Sequence, residues 1–380
     1  MDASDIFSPV ACKLRQSITV EDDTCTNKRL FKVFSGFIPT RVNKTRVRFT
    51  SDCGGMRRFF LFVRGGFTGA FARMTAKIID GTQLASIVHE EIADQVDQFR
   101  AKHGSVPRLV VLLIGDDPAS HSYVKGKERA CRKVGITTET IRHDTSITQY
   151  EVLSIVEELN DNSDVDGILV QLPLPDHLDS DAVICAIDPR KDIDGLHPEN
   201  AGLLMSGKPR FVPATPLGVQ RMLVDQKIEM KGAKVVIVGR SRLVGMPLAA
   251  LLLQKGIGAN STVTVCHTAT MDIAAETRNA DVLVAAVGLP GVITGDMVKP
   301  GAVVIDVGVS RVDDSVSKRG YRLIGDVDFE GVSKIASAIT PVPGGVGPMT
   351  ISMLLVNVLQ AANLSASGGV KIRRSHQADR

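Results

Sequence analysis

Apolar positions along the chain follow two alternating patterns. Residues 84–99 carry apolar side chains at helical spacing, whereas residues 109–114 (LVVLLI) form an unbroken apolar run between a proline and a glycine. These patterns predict a helix followed by a buried strand. The alternation continues with elements predicted at residues 118–134 (helix), 138–141 (strand), 150–159 (helix) and 167–172 (strand). The resulting β-α-β-α-β order predicts a parallel sheet that is covered by helices.

The second half of the chain repeats this alternation after a long stretch, residues 187–216, that is predicted to be irregular and is rich in Pro, Gly and charged residues. Loops of this length are usually functional. Beyond it we predict helices at residues 217–226, 247–254 and 272–279, and strands at residues 235–238, 262–266, 281–286 and 303–307. A Gly/Pro loop at residues 340–350 and a final helix to about residue 362 follow. The whole pattern predicts an α/β protein with two doubly wound domains and a cleft between them.

The most informative turn lies within residues 235–247 (VVIVGRSRLVGMP), where a β-branched run meets a glycine and then a predicted helix. Such a turn presents backbone N–H groups at a helix N-terminus, which favours a phosphate or pyrophosphate. Gly239 and Gly245 fit the G-x-G-x-x-G pattern of dinucleotide sites, but Ser241 replaces the second glycine. The turn alone therefore fits either a dinucleotide site in a Rossmann-type domain or an ordinary βα connection.

The residues after the second strand of this unit bear on the type of nucleotide. NAD-binding domains place Asp or Glu there for the ribose diol, whereas this chain has Cys266, His267 and Thr268. No carboxylate at this position repels a 2′-phosphate, and Arg240 or Arg242 beside the turn can neutralise one. The sequence therefore favours NADP over NAD.

A second group of candidates lies on the predicted helix at residues 118–134. Ser120, Tyr123 and Lys127 share this helix, and Tyr123 and Lys127 are four residues apart and hence on one face. A lysine in an apolar cleft has a lowered pKa and exchanges protons nearer to neutrality. The alternative is a solvated basic face, which Lys125 would share.

Polar residues also occur at a predicted strand end and in two loops. Gln171 interrupts an apolar strand and is either a hydrogen-bonded core residue or a site residue at the carboxyl end of that strand. Asp192 and Asp194 either bind a guanidine-like or amino-heterocyclic group or make turn hydrogen bonds, and they lack the further ligands that a metal site needs. In the loop PVPGGVGP, Gly344 and Gly345 allow the backbone to approach a ligand closely.

Composition narrows the class of protein. With 44% hydrophobic residues, 4% aromatics and no Trp, the core must consist of Val, Ile, Leu and Ala, which suits parallel strands that are buried on both faces. A net charge of +3 is too small to indicate nucleic acid or an anionic membrane as the main partner. The 6 cysteines show no C-x-x-C spacing and no zinc pattern, so no metal is predicted.

The N-terminal leader has the composition of a targeting peptide. Residues 54–79 contain no acidic residue, several Arg and Lys residues and an aromatic, apolar run. We interpret Met56 as the functional start and MRRFFLFVRGGF as the head of a mitochondrial presequence. The alternative is a disordered extension, with the protein proper starting at Met74 in the cytosol.

Five motifs occur in register along most of the chain: SHSYVKGK, VQLPLP, KDIDG, VGRSRLVGMP and TPVPGGVGPMT. In this order and at these distances they resemble the bifunctional methylenetetrahydrofolate dehydrogenase/methenyltetrahydrofolate cyclohydrolase family. The resemblance covers about residues 77–364. It implies oxidation of 5,10-methylenetetrahydrofolate with NADP, or alternatively NAD, and hydrolysis of the methenyl product to 10-formyltetrahydrofolate.

The resemblance also implies roles for individual residues. Lys127 matches the catalytic lysine that handles protons, Gln171 its supporting glutamine, Tyr123 the tyrosine that stacks on the aminobenzoyl ring, and Asp194 the aspartate that binds the pterin. Further expected substrate contacts are Ser120, Pro343, Gly344 and Gly345. The expected cofactor-binding residues are Gly239, Arg240, Ser241, Gly245, His267, Thr268 and Val309. Thr268 departs from the Ser or Arg that NADP-using members often carry, which keeps NAD open.

The resemblance finally implies a domain organisation. We expect a leader (1–76), a folate-binding catalytic domain (77–220, completed by the C-terminal helix 346–364), a Rossmann NAD(P)-binding domain (221–345) and a disordered tail (365–380), in a homodimer. Two other functions remain open from the residues alone. One is a non-catalytic nucleotide-binding scaffold, and the other is a Rossmann methyltransferase, which the Cys-His-Thr stretch disfavours.

Overall fold

The computed structural model describes residues 76–317 and 320–368, all of which belong to one unit of the chain. The interpretations of Met56 and Met74 as starting points, and the tail beyond residue 368, fall outside the described residues. The fold within the described part contains two parallel sheets, which carry the two groups of candidate residues, and a two-stranded hairpin.

The first sheet has three parallel strands. They are β2 (Arg108–Ile114), β3 (Thr137–His143) and β4 (Gly167–Val170), in the spatial order β3-β2-β4. The helices of this part are α1 (Gly81–His103), α2 (Pro118–Val134), α3 (Gln149–Asp161) and α4 (Ser180–Ala186). The predicted β-α-β-α-β order is confirmed, although the strand predicted at residues 167–172 ends at Val170, so that Gln171 lies just beyond it.

Both faces of this sheet are buried, as the unbroken apolar run of β2 predicts. Leu109 and Val111 pack on the side of α1 and α2, whereas Val110 and Leu112 pack on the side of α3 and α4. A local signal starts the helix α1, because the side chain of Asp80 accepts hydrogen bonds from two N–H groups of its first turn. The sheet therefore forms a rigid layer from which the loops at its carboxyl edge project.

The second sheet has six parallel strands in the order β1-β11-β8-β7-β5-β6. Their bounds are β1 (Lys77–Ile78), β5 (Lys234–Val238), β6 (Thr262–Cys266), β7 (Val282–Ala285), β8 (Val303–Asp306) and β11 (Ala338–Ile339). Besides the C-terminal helix, this half of the chain has the helices α5 (Pro198–Met205), α6 (Ala214–Asp225), α7 (Gly245–Leu253), α8 (Ile273–Thr277) and α9 (Phe329–Val332), and a short 3-10 helix at Gly295–Met297. The order β6-β5-β7-β8, with its reversal at β5, is that of a Rossmann sheet.

Three features differ from the prediction. The stretch 187–216 is not wholly irregular, because α5 lies inside it and α6 begins there; α5 has only 8 residues, too few to show helical periodicity. A hairpin of β9 (Ser310–Asp313) and β10 (Tyr321–Ile324) follows β8 and was not predicted. The short strand β1 pairs with β11 in the second sheet, although it precedes the first sheet in the chain.

The C-terminal helix α10 (Val346–Ala366) is long and apolar enough to cross a membrane by length and composition. It is instead the central helix of the described fold, since it packs against α1, α2 and α6. Met349, Leu355 and Val358 are buried in the main core, and the buried amide of Asn357 donates to two main-chain carbonyls. A buried polar side chain whose amide donates two hydrogen bonds fits a protein core.

Candidate active site

The helix α2 begins at the carboxyl edge of the first sheet. Gly115 ends β2 in a left-handed conformation (φ 87°), and the carboxylate of Asp117 accepts a hydrogen bond from Ser120 N (2.8 Å) at the start of α2. Ser120 is buried beneath this first turn, whereas Tyr123 is 51% exposed. Tyr123 and Lys127 are one helical turn apart, so the predicted common face exists. The exposed ring leaves a flat aromatic surface available to a ligand.

Lys127 and Gln171 meet across the carboxyl ends of two neighbouring strands. Lys127 Nζ donates to Gln171 Oε1 (3.1 Å), and Gln171 Nε2 donates to Leu172 O (2.7 Å). The main-chain N of Gln171 also donates to Leu112 O (2.9 Å). Gln171 thus has the hydrogen bonds that the first of its two interpretations requires, and its role in a site stays a prediction. It is a buried, hydrogen-bonded amide, and it contacts the lysine at the edge where open α/β sheets bind ligands.

The loop that carries Asp194 is anchored on several sides. Lys191 Nζ donates to the carbonyl oxygens of three residues at the end of α3 (2.7–2.9 Å). Asp192 is buried and accepts hydrogen bonds from His197 N and Asn200 Nδ2, both at 2.8 Å. Asn357 of α10 holds the carbonyl of Ile193. Asp192 therefore makes turn hydrogen bonds, and this rigid support presents Asp194 towards Lys127.

Burial favours the neutral forms of the ionisable groups around Lys127. It lowers the pKa of Lys127, although the nearby Asp194 carboxylate acts in the opposite direction. Burial raises the pKa of Asp194 to about 6, against the attraction of Lys127. It also raises the pKa of the Cys131 thiol, one turn further along α2, to about 12, so this cysteine is an inert thiol. The site thus holds an amine and a carboxyl whose pKa values both lie closer to neutrality than usual.

The loop at residues 340–345 lies against the start of α1. Gly344 O accepts hydrogen bonds from Thr82 N (3.1 Å) and Thr82 Oγ1 (3.4 Å). A Cβ at Gly81 would lie 1.8 Å from Gly345 O, so the two segments approach as closely as glycine allows. Pro343 is exposed at the tip of the loop, and Gly344 has a φ of 105°. The loop thus joins the end of the second sheet to the helices around Lys127.

The turn between β5 and α7 has the backbone geometry of an anion site. Gly239 has a φ of 126°, and a Cβ there would lie 2.1 Å from Ala286 O; a Cβ at Gly245 would lie 2.0 Å from Gly239 O. Ser241 Oγ accepts a hydrogen bond from Val244 N (3.1 Å). The main-chain N–H groups of residues 240–242 donate to no acceptor among the described residues. The residues present therefore fit a pyrophosphate, which needs free N–H donors and no side chain in the turn.

The end of β6 lies beside this turn. Gly239 N donates to Cys266 O (2.8 Å), so the two strand ends are adjacent. His267 Nδ1 accepts from Ala269 N, and Thr268 is exposed. Arg240 is exposed, and within residues 76–317 and 320–368 its guanidinium has no hydrogen-bond or ion-pair partner.

Arg242 differs from Arg240, because it forms an ion pair with Asp181 of α4. Of the two arginines that were predicted to neutralise a 2′-phosphate, Arg240 is thus the unpaired one. Val309, the remaining candidate, follows β8 at the same edge and is partly exposed.

Two buried carboxyls at this edge, Asp306 and Asp326, were missed by the prediction from sequence. Asp306 ends the apolar strand β8, and an acidic residue at such a position is a visible signal, as it was for Gln171. Asp326 lies in a loop without periodicity, so only its contacts reveal it. In the described part of the chain, no group of three or more His, Cys, Asp or Glu residues is arranged so that it could hold a metal ion.

Two family models match the chain. The model described as "Tetrahydrofolate dehydrogenase/cyclohydrolase, catalytic domain" matches residues 79–194, and the one described as "Tetrahydrofolate dehydrogenase/cyclohydrolase, NAD(P)-binding domain" matches residues 213–366. The first range contains Lys127, Gln171 and Asp194. The second contains the turn at Gly239 and the loop at residues 340–345.

Relatives and solved structures agree with these matches. The chain is 54% identical to "Bifunctional protein FolD" of Chlorobium limicola over 286 residues, which are 75% of this chain and 97% of the relative. The same identity holds for the protein of that name from Salinibacter ruber, over 77% of this chain and 97% of the relative. The structure of the bifunctional FolD enzyme of Campylobacter jejuni superposes with a TM-score of 0.71 at 44% identity, covering 76% of this chain and 99% of that chain. A Trypanosoma brucei FolD structure, complexed with NADP cofactor and inhibitor, has a TM-score of 0.73 at 39% identity, covering 77% and 99%.

These relatives correct one prediction. The mitochondrial localisation inferred from residues 54–79 is wrong, because similar proteins with about half of their residues identical, such as those of Chlorobium limicola and Salinibacter ruber, are bacterial enzymes. A basic, acid-free and aromatic composition is not specific to presequences, which is why composition alone misled the interpretation.

Proposed function

The chain belongs to the tetrahydrofolate dehydrogenase/cyclohydrolase family, and from that premise we propose how its residues divide the two activities of the enzyme. It is a bifunctional enzyme of one-carbon folate metabolism. It oxidises 5,10-methylenetetrahydrofolate to the methenyl form with NADP, and it hydrolyses the methenyl form to 10-formyltetrahydrofolate. In our proposal each of these two steps depends on a different group of residues.

Lys127 carries the proton transfers of the cyclohydrolase step. Addition of water to the methenyl cation releases one proton, and ring opening moves a second proton from the hydroxyl of the adduct to the nitrogen whose C–N bond breaks, so a group that changes its protonation state near neutrality is needed. Burial lowers the pKa of Lys127, which makes the neutral amine accessible. The single observation that carries this assignment is the contact between Lys127 Nζ and Gln171 Oε1 (3.1 Å), which fixes the amine at the sheet edge.

The groups around Lys127 are suited to hold the folate. Asp194 can hydrogen-bond the amino-substituted pterin ring, and the exposed ring of Tyr123 can stack on the aminobenzoyl group. Ser120 and the loop residues Pro343, Gly344 and Gly345 are the remaining proposed substrate contacts. Ser120 is buried in the first turn of α2, so its contribution is to shape that turn or to meet a ligand that enters deeply.

The turn at Gly239 is the proposed NADP site. Its free N–H groups and the N-terminus of α7 would hold the pyrophosphate, and Gly239 and Gly245 keep the backbone close enough for this. Arg240 and the hydroxyl of Thr268, with His267 nearby, face the 2′-phosphate side, and Val309 lies on the side of β8. NADP bound here supplies the hydride acceptor.

The dehydrogenase step requires less from side chains than the hydrolysis. Loss of hydride from the methylene bridge leaves a cation that its two nitrogen neighbours stabilise, so the protein has mainly to align the donor carbon with the cofactor. In our proposal, the backbone of the turn at Gly239 and of the loop at residues 340–345 provides this alignment. This requirement explains why the cofactor side offers glycines and N–H groups, whereas the folate side offers an amine, an amide and a carboxyl.

We also propose the domain division and a homodimer. Residues 77–220 with helix 346–364 would form the folate-binding part and residues 221–345 the cofactor part, in keeping with the packing of α10 on α1 and α6. For the dimer, the support is β6, whose outer edge has no partner strand among the described residues, beside the exposed apolar residues Leu253 and Ile257. Natural proteins normally cover or otherwise protect the edge strands of their sheets, and a second copy of the chain would cover the edge of β6.

Sedimentation of the wild type tests the dimer. We expect twice the monomer mass, a smaller mass for Leu253→Glu, and no change for Tyr150→Glu on the exposed face of α3. A monomeric wild type would contradict the proposal.

Initial rates test the function itself. Purified enzyme should reduce NADP with 5,10-methylenetetrahydrofolate, reduce NAD less efficiently, and hydrolyse 5,10-methenyltetrahydrofolate without any cofactor. Absence of both reactions would instead leave the scaffold interpretation, and methyl transfer with neither reaction would indicate the methyltransferase.

A further inference from the structure

Two carboxyl groups are buried side by side under the cofactor edge of the second sheet. Asp306, at the end of β8, is 4% exposed, and Asp326, in the loop after β10, is fully buried. Asp306 accepts hydrogen bonds from the N–H groups of Gly308, Asp326 and Val327, each at 3.0 Å. These hydrogen bonds connect the Asp306 carboxyl only with the turn after β8 and with the loop after β10. Asp306 therefore has the contacts of a structural carboxyl that ties β8 to the segment after β10.

Asp326 has a different set of contacts. Its Oδ2 accepts hydrogen bonds from Val287 N (2.6 Å) and Gly288 N (2.9 Å), in the turn that follows β7. Its Oδ1 is buried and has no hydrogen-bond partner among the described residues. Buried carboxylate oxygens rarely remain unpaired in a purely structural role. Asp326 Oδ2 thus holds the turn after β7 by hydrogen bonds, whereas Oδ1 lies against the turn after β8 without a hydrogen bond.

A glycine lies opposite each carboxyl. A Cβ at Gly308 would lie 2.0 Å from Asp326 Oδ1, and a Cβ at Gly325 would lie 1.9 Å from Asp306 Oδ2. Neither position can carry a side chain without displacing a buried carboxyl. The turn after β7 and the turn after β8 are therefore fixed relative to each other through Asp326, by hydrogen bonds on one side and by close packing on the other.

These two turns flank the cofactor site. The turn at Gly239 packs directly on Ala286 O, one residue before Val287, and Gly308 precedes Val309. In a Rossmann sheet the two halves of a dinucleotide lie on either side of the strand at which the order reverses. That strand is β5 here, and the 2′-phosphate side is that of β6, so β7 and β8 lie under the nicotinamide half.

We propose that Asp326 is a positioning residue for hydride transfer: it holds the turns at residues 286–288 and 307–309 in the arrangement that presents the nicotinamide to the folate. This inference rests on the cofactor site proposed above. It concerns the dehydrogenase alone, because hydrolysis of the methenyl form uses Lys127 at the other sheet and no nicotinamide. The enzyme therefore contains its own control, since a local change at Asp326 should separate the two activities.

The test compares both activities in Asp326→Ala and Asp326→Asn. The alanine variant leaves two N–H groups without an acceptor, and we expect kcat/KM for NADP-dependent oxidation to fall about tenfold or more, with methenyl hydrolysis within about twofold of the wild type. The asparagine variant keeps one oxygen for both N–H groups, so it should recover most of the loss. Binding of NADPH, followed by its fluorescence, should weaken in the alanine variant and recover in the asparagine variant.

Two further variants separate positioning from loss of stability. Gly308→Ala should reproduce the selective loss, because its methyl group displaces the same carboxyl. Val156→Ala removes buried volume from α3, far from the cofactor edge, and should lower thermal stability while leaving the ratio of the two activities unchanged.

Equal loss of both activities in Asp326→Ala, or no loss of either, would overturn the inference. A wild type that does not reduce NADP would instead overturn the cofactor site on which it rests.

Discussion

The carboxyl edges of the two sheets carry different kinds of candidate groups. In our proposal, the chemistry at the three-stranded sheet depends on side chains, namely Lys127, Gln171 and Asp194, which come from α2, the end of β4 and a loop. At the six-stranded sheet it depends on backbone, with Gly239 and the free N–H groups after it. We propose that one edge serves proton transfer and the other serves alignment of the cofactor, so a substitution at one should spare the activity of the other.

The largest difference between the losses of the two activities is expected from Lys127→Met. Methionine fills similar space but has no titratable group, so methenyl hydrolysis should fall by about 10³-fold or more while the fold is retained. NADP-dependent oxidation should fall far less. Initial rates of both reactions, with circular dichroism for the fold, measure this. Lys125→Met, on the exposed side of the same helix, is the control and should keep both activities; full retention of hydrolysis in Lys127→Met would refute the assignment.

Gly239→Ala should have the opposite effect, namely loss of NADP-dependent oxidation with methenyl hydrolysis retained. The added methyl would lie 2.1 Å from Ala286 O at a φ of 126°, so the turn must open and its N–H groups must move. We expect kcat/KM for NADP to fall about 100-fold, with hydrolysis retained. Gly232→Ala is a matched control, because Gly232 also has a positive φ (74°) but nothing lies near its Cβ. If Gly239→Ala lost as much hydrolysis as oxidation, the proposed division of the two activities between the sheet edges would be contradicted.

A smaller effect should distinguish the two arginines on the cofactor side. Arg240 is unpaired among the described residues, whereas Arg242 is held by Asp181. Arg240→Gln should therefore raise KM for NADP by about tenfold without a change in KM for NAD, and Arg242→Gln should change either value little. Steady-state kinetics with both cofactors decide this. If Arg242→Gln has the larger effect, the ion pair with Asp181 gives way when NADP binds.

The sequence predicted more of the cofactor edge than of the edge that carries Lys127. The Gly239 turn was visible because its signal is local: a β-branched strand, a glycine and a helix within 13 residues. The contact between Lys127 and Gln171 was not, because the two residues are 44 positions apart and only the parallel pairing of β2 with β4 brings their helix and strand ends together. On the residues alone a proton-exchanging Lys127 and a solvated basic face both remained open, and the catalytic role was implied only by the family resemblance.

Other parts of the fold also depended on distant contacts. Asp326 and the pairing of β1 with β11 have no periodic signal, since each is defined by residues far away in the chain. The short helix α5 was missed for a different reason, because 8 residues make barely two turns. Element type was therefore predictable wherever a buried strand or a long amphipathic helix imposed its period, and the side-chain contacts that make the site were not.

The smallest predicted effect concerns pH. The carboxylate of Asp194 raises the pKa of Lys127, in opposition to burial. Asp194→Asn removes that attraction and leaves the burial, so the pKa of Lys127 should fall further. The inflection of the cyclohydrolase kcat profile that reports Lys127 should then move to lower pH, by about one unit. A pH profile with saturating folate measures this, and a shift to higher pH would show that Asp194 does not act on the lysine.

The most direct test of the division between the two edges is a mixing experiment. Lys127→Met and Gly239→Ala are each given 5,10-methylenetetrahydrofolate and NADP, separately and together, and formation of 10-formyltetrahydrofolate is followed. We expect that neither variant alone forms it at an appreciable rate and that the equimolar mixture does, because one variant supplies the methenyl form and the other hydrolyses it. A mixture no more active than the sum of its parts would contradict the claim that side chains at one edge and backbone at the other perform separable steps.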